Sequence, residues 1–174
     1  FIVLATQNPV EHEGTYRLPE AQLDRFLFKI EIPYPSLEEE ILIITQQHQV
    51  KTVNQIAEIA PVLTAAEIVD LREQVREFHV EAKLVEFVAK IVHETRNNSS
   101  LFLGASPRAS LAIMNASKAM AAINGRDFVT PDDILEVVPP VLRHRIILSP
   151  DKEMEGVTED SVTKQIIQSL DIPR

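Results

Sequence analysis

At Pro33-Tyr34-Pro35 the chain changes its hydrophobic period, and this break constrains the fold more than any other feature. Proline fixes its own backbone and biases the preceding residue away from helix, so the tripeptide reads as extended chain between two kinds of structure. Before the break the pattern is that of strands. Phe1-Ile2-Val3-Leu4-Ala5 is an apolar run suited to a buried strand. Over residues 26–32, Phe26, Phe28, Ile30 and Ile32 alternate with Leu27, Lys29 and Glu31, the period of two expected of a second strand. Between them, Pro19 followed by Glu20 suits the first turn of a short helix.

After the break the period becomes helical. Ser36 with Glu39, and Thr64 with Glu67, form capping boxes that open helices, the first running to about His48. Residues 53–63 read as irregular with a short helical turn. Leu84, Phe87, Val88, Ile91, Val92 and Thr95 recur at three and four residues, as on an amphipathic helix. Ser106-Pro107 opens a further helix that Asn124-Gly125 closes, and its alanines allow neighbouring helices to approach closely. Thr130-Pro131-Asp132-Asp133 starts another, which Pro139-Pro140 is expected to end. From Ser149 the chain is acidic, with one weak helix predicted from Glu159 to Leu170.

Composition narrows the functional classes. The sequence has 174 residues, 45% of them hydrophobic, and a formal net charge of −9. Such a surface repels phosphate backbones, so no nucleic-acid partner is expected. Cysteine is absent, which excludes disulfides and thiolate metal sites. No apolar run reaches the ~20 residues a spanning helix needs, so no membrane insertion is expected. Glu11-His12-Glu13 lies in a loop without a second ligand cluster, and no metal site is assigned. His48, His79 and His93 are isolated and read as structural.

Three residues stand out chemically. Asn8, in Ala5-Thr6-Gln7-Asn8-Pro9, follows a strand-like run, and ligands lie beyond the carboxyl ends of strands in open α/β sheets. A neutral amide there can orient a water and a phosphate oxygen together, although Asn-Pro also simply starts turns. Arg25 follows Leu23-Asp24, and its planar guanidinium suits charge spread over a transferring phosphoryl group. The alternative for Arg25 is an ion pair with Asp24 or Glu20. Arg108, in Gly104-Ala105-Ser106-Pro107-Arg108-Ala109-Ser110, is a cation in a helix's first turn, where it opposes the helix dipole. Helix N–H groups beside an arginine make an anion site, and the alternative is a pair with Glu94 or another acid.

The Ala5-Thr6-Gln7-Asn8-Pro9 and Leu23-Asp24-Arg25-Phe26 segments, with the Gly104 to Ser110 motif, resemble AAA+ ATPases. Within these the chain is most similar to the MoxR family, relatives of magnesium chelatase. The resemblance implies a mainly α chain: an all-helical lid domain preceded by a short α/β remnant, the last strands of the nucleotide-binding core. It assigns residues 1–33 to the core, 34–148 to the lid and 149–174 to an acidic tail. It makes Asn8 the sensor 1 residue, Arg25 an arginine finger acting on the neighbouring subunit, and Arg108 the sensor 2 residue. Arg17 stands where many relatives are expected to have proline after Tyr16, and could compete with Arg25 as an interface cation. Arg143-His144-Arg145 matches a Leu-Arg-His-Arg stretch near the lid's end, where packing against acids of the core is expected.

None of the seven lysines follows a glycine, and no Asp-Glu dipeptide occurs. The phosphate loop and the metal-binding strand end of such ATPases are therefore not in this sequence. The chain also opens without methionine, inside a strand-like run, and is expected to be the C-terminal piece of a longer protein. By the resemblance that parent is expected to be a cytoplasmic ATP hydrolase using ATP and Mg²⁺, a homo-oligomeric ring, a hexamer, acting like a chaperone on a client protein. The fragment alone is expected to be inactive and to hold no cofactor tightly. Two other classes remain: a non-catalytic helical protein-interaction module, and a helix-turn-helix DNA binder, which the net charge disfavours.

Overall fold

The computed structural model describes residues 2–7, 19–49 and 59–173, and within these the chain is mainly helical. The elements run α1 (Glu20–Leu23), α2 (Leu37–Gln49), α3 (Ala65–Arg76), α4 (Ala82–Asn97), β1 (Leu101–Leu103) and α5 (Pro107–Ile123). They continue through α6 (Pro131–Leu142), β2 (Ile147–Leu148), α7 (Pro150–Met154) and α8 (Glu159–Ser169). Both capping boxes form. Ser36 N donates to Glu39 Oε2 at 2.8 Å while Glu39 N donates to Ser36 Oγ at 3.3 Å. Thr64 and Glu67 make the same reciprocal pair at 2.7 and 3.2 Å.

One core holds α4, α5, α6 and α8 together. Helix α4 buries Leu84, Phe87, Val88, Ile91, Val92 and Thr95 on one face, as the three-and-four spacing requires. Each fully buried Phe, Ile or Val contributes roughly 1.5–3 kcal/mol relative to exposure, so this face is the main anchor of the helix. Helix α5 buries Ala109, Ala112, Ile113, Ala116, Ser117 and Ala121, and its small side chains let α6 and α4 pack closely. Helix α8 buries Val162, Thr163 and Ile166, with Val162 and Ile166 in a cluster shared with Leu148. The acidic end of the sequence is thus part of the packed structure, because its apolar residues recur at helical spacing beneath the charges.

Three local expectations differ from the structure. Pro139 and Pro140 lie inside α6, which runs on to Leu142. Proline removes a helix hydrogen bond, but Val137, Val138, Val141 and Leu142 on the same helix are all at most 2% exposed, and that burial holds the last turns in place. The two strand-like runs enter no sheet among the described residues. Residues 2–7 carry no regular structure, and residues 26–32 bend at Phe26-Leu27 and then run without regular structure, with one backbone bond to the helical body, Lys29 N to Pro140 O at 3.0 Å. Period-two patterning needs a partner strand, and the described residues contain only β1 and β2 as strands. That antiparallel pair, Leu101 opposite Leu148, was too short to register as a sequence pattern.

Asp133 pins the start of α6. Its carboxylate receives Arg126 at 2.6 and 2.8 Å, the Thr130 backbone N–H and hydroxyl at 2.8 Å each, and Asn124 Nδ2 at 3.3 Å. Burial alone would raise its pKa, but the Arg126, Thr130 and Asn124 bonds outweigh it and hold the group at about 2. A depressed carboxylate stabilises the fold fully above its unfolded pKa, near 3.8, and loses that contribution as pH falls through about 2. Asp133→Asn should therefore cost on the order of 2 kcal/mol at pH 7 and flatten the acid limb of the stability curve. Melting curves from pH 7 to pH 2 check this; an unchanged acid limb would show that Asp133 does not carry it.

Candidate functional site

The Gly104 to Arg108 motif is positioned by the end of α4. A Cβ on Gly104 would lie 2.6 Å from Thr95 O and 2.7 Å from Arg96 Cα, so only glycine lets this strand exit touch the helix. Thr95, 1% exposed, donates its hydroxyl to Val92 O at 2.6 Å and accepts Ala105 N at 2.9 Å. Arg96 Nε donates to Ala105 O at 2.8 Å. The loop is thereby stitched to α4 and delivers Ser106 as N-cap of α5, its Oγ accepting Arg108 N at 3.3 Å.

A second segment meets this cap. Asp24 follows α1, where a carboxylate at a helix C-terminus is unfavourable unless cations answer it. They do. Its Oδ1 accepts Arg145 Nε at 3.0 Å. Its Oδ2 accepts the Ser106 hydroxyl at 3.0 Å and faces Arg108 Nη1 at 3.5 Å. One carboxylate thus joins the turn after α1, the cap of α5 and the segment after α6.

Arg145 does more than pair with Asp24. Nη2 donates to Asp24 O at 3.1 Å and to Phe26 O, and Nη1 donates to Leu27 O at 3.1 Å and to Val141 O. With Nε on Asp24 Oδ1, all five donors of the guanidinium are used. Its side chain is 3% exposed, and burial pushes its pKa below the usual arginine range, opposed by the Asp24 bond and charge. His144 Nε2 lies 2.9 Å from Phe26 O, where it donates; burial lowers its pKa, and its Nδ1 is buried without a partner. Arg143 donates to Lys29 O at 3.0 Å and is gripped by Asp160 of α8 at 2.9 and 2.6 Å.

Of the three candidate residues, two lie near the Asp24 carboxylate: Arg25 follows it in the chain and Arg108 faces it. Arg25 is exposed on the turn after α1, next in sequence to Asp24. The alternative of an Asp24–Arg25 pair is not what forms, because the Asp24 oxygens are taken up by Arg145, Ser106 and Arg108. Arg108 is 58% exposed in the first turn of α5, and the acid it approaches is Asp24 rather than Glu94. Asn8, Arg17 and Glu11-His12-Glu13 lie outside the described residues. Asp24 and Arg145 are residues that the sequence does not mark as part of a site. The basic Arg143-His144-Arg145 triplet was the available signal, and its expected packing against an acid is realised with Asp24. Most of its acceptors are backbone carbonyls, however, which a sequence does not display. Among the described residues no His, Asp and Glu cluster could hold a metal ion.

This helical body, with a capped helix bearing Arg108 beside a turn bearing Arg25, is that of an AAA+ protein. The model for the AAA lid domain matches residues 93–166, and that for the ATPase family associated with various cellular activities matches residues 1–28. The chain is 40% identical over 176 residues to the "Uncharacterized protein YeaC" of Bacillus subtilis, covering 99% of this chain and 53% of that protein. It is 40% identical over 183 residues to the "Chaperone MoxR1" of Mycobacterium tuberculosis, covering 100% of this chain and 47% of that protein. A crystal structure from Cytophaga hutchinsonii, described as a "putative ATPase", superposes with a TM-score of 0.89 at 34% identity. The match covers 100% of this chain and 55% of that one. The chain belongs to the MoxR-like AAA+ family, and it spans about half the length of these relatives.

Because Gly104 sets the path of the motif, Gly104→Ala should force α4 and the loop apart. Overpacking of this kind costs typically 1–3 kcal/mol, which should appear as a lowered Tm in thermal melts. A Tm equal to that of the parent chain would show that the contact yields without cost.

Proposed function

We propose that the chain is the C-terminal part of a MoxR-like ATP hydrolase that works as a ring. In this reading residues 1–33 end the nucleotide-binding core, 34–148 form the lid, and 149–174 the acidic C-terminal segment. The observation that carries it is the convergence on Asp24 of the turn bearing Arg25 and the helix start bearing Arg108. Two exposed guanidinium groups set on ordered backbone suit phosphate oxygens. Guanidinium groups do not bind metals, so Mg²⁺ would be held by groups other than these. ATP supplies the transferable γ-phosphoryl group. What this chain contributes is positive charge placed where negative charge grows, Arg25 reaching a neighbouring subunit's nucleotide and Arg108 contacting phosphate from the lid. Asn8 would orient the attacking water.

The name of the Mycobacterium relative supports a chaperone-like role, in which hydrolysis drives the remodelling or assembly of client complexes. The parent is read as a cytoplasmic homo-oligomer, a hexamer by family resemblance. The 174-residue chain by itself should release no phosphate from ATP, since it carries no phosphate loop.

Arg25→Ala in the full-length protein should cut ATP turnover by roughly 10³–10⁵ while leaving ATP affinity nearly unchanged. Mixing it with a phosphate-loop mutant should restore activity, because one partner supplies the arginine and the other an intact nucleotide site. Near-normal turnover of Arg25→Ala would remove the finger assignment and direct attention to Arg17. Arg108→Ala should weaken nucleotide binding with the lid still folded; a collapsed Tm with unchanged nucleotide affinity would make Arg108 structural.

A further inference from the structure

We infer that Arg145 is a positioning residue for Arg25, acting through Asp24 and the backbone on both sides of the finger. The inference rests on the reading of Arg25 given above. The Arg145 guanidinium holds the Asp24 carboxylate and the carbonyls of Asp24, Phe26 and Leu27, so the residues flanking Arg25 are both fixed while Arg25 itself is left exposed. His144 adds a second donor to Phe26 O, and Arg143 holds Lys29 O further along.

The anchor behind this grip is firm. Arg145 lies in the turn after α6, three residues past Leu142 at 0% exposure and just before Ile146 at 3%, and it also bonds Val141 O within α6. Arg143 is tied to Asp160 of α8. Among the described residues α1 is a helix of only four residues with no buried side chain, and the side-chain polar contacts on the turn after it come from Arg145, His144, Ser106 and Arg108. Within this chain the backbone on both sides of Arg25 is therefore held by lid side chains. A finger must meet a transferring phosphoryl group within a few tenths of an ångström, and a displacement of about 1 Å costs on the order of 10²-fold in rate.

Lysine cannot replace this group, because three ammonium donors on a flexible stem do not match five acceptors around a planar fork. Arg145→Lys in the full-length protein should lose roughly 10²-fold in ATP turnover, with KM for ATP within about twofold. The defect should be that of a finger donor alone. In mixed rings with a phosphate-loop mutant, whose Arg25 is intact, activity should return as it does for Arg25→Ala. Amide exchange at Arg25 and Phe26 should quicken about tenfold or more, while amides in α4 and α5 stay protected. Asp24→Asn keeps the shape and most of the backbone grip, and should show the same turnover loss, restored by mixing, at about tenfold, with any change in KM for ATP assigned to Arg108, which Asp24 Oδ2 also faces.

If Arg145→Lys does not fold, Asp24→Asn decides. Full turnover in both variants beside an inactive Arg25→Ala overturns this inference and leaves the finger reading standing. Loss that mixing cannot restore, with exchange rising throughout the lid, also overturns it, because the role is then general folding. Normal turnover of Arg25→Ala removes both readings.

Discussion

A buried guanidinium is the centre of the contacts that hold residues 24–29 on the helical body. Arg145 sits at 3% side-chain exposure with all five donors bonded, and four of those bonds reach the segment from Asp24 to Leu27. A charge taken out of water this far is tolerable only when each of its donors is answered. That requirement makes the arrangement specific: the turn has one path that supplies three carbonyls and a carboxylate at once. Among the described residues the segment from Phe26 onward joins no strand, and its polar contacts with the helical body are those of Arg145, His144 and Arg143 and the Lys29–Pro140 backbone bond.

Asp24 divides its two oxygens between different kinds of partner. Oδ1 faces the buried Arg145 at 3.0 Å, a contact shielded from solvent. Oδ2 faces Ser106 and, at 3.5 Å, the 58% exposed Arg108, a contact that water and salt weaken. The first bond is built to stay. The second can be given up cheaply to a stronger anion, so Arg108 is kept near its place without being committed to it. Between the end of α5 and the start of α6, by contrast, the Arg126–Asp133 pair is structural: Asp133 is buried, and Arg126 and Thr130 both donate to its carboxylate.

Much of this was legible in the sequence, for reasons that particular residues show. Ser36 with Glu39 and Thr64 with Glu67 announce helix starts because a cap is a local contract between residues three apart. The burial of Phe87, Ile91 and Val92 follows from periodicity alone. Pro139-Pro140 misleads because a local penalty was outweighed by burial that only the tertiary structure supplies. The alternation from Phe26 to Ile32 is genuine, yet a strand exists only with a partner. Of the site, Arg108 is visible as a cation that opposes a helix dipole, and Arg25 through the resemblance of its Leu-Asp-Arg-Phe segment. Arg145 was visible only as part of a basic triplet, since carbonyl acceptors carry no sequence signal.

The most direct measurement is a structure of the full-length ring bound to a non-hydrolysable ATP analogue. The account predicts Arg25 within about 3 Å of a γ-phosphate oxygen on the neighbouring subunit, with Arg145 still bonded to Asp24 and to the carbonyls beside the finger. An assembled ring in which Arg25 points to solvent, another cation such as Arg17 meets that phosphate, or Arg145 has left Asp24 would contradict it.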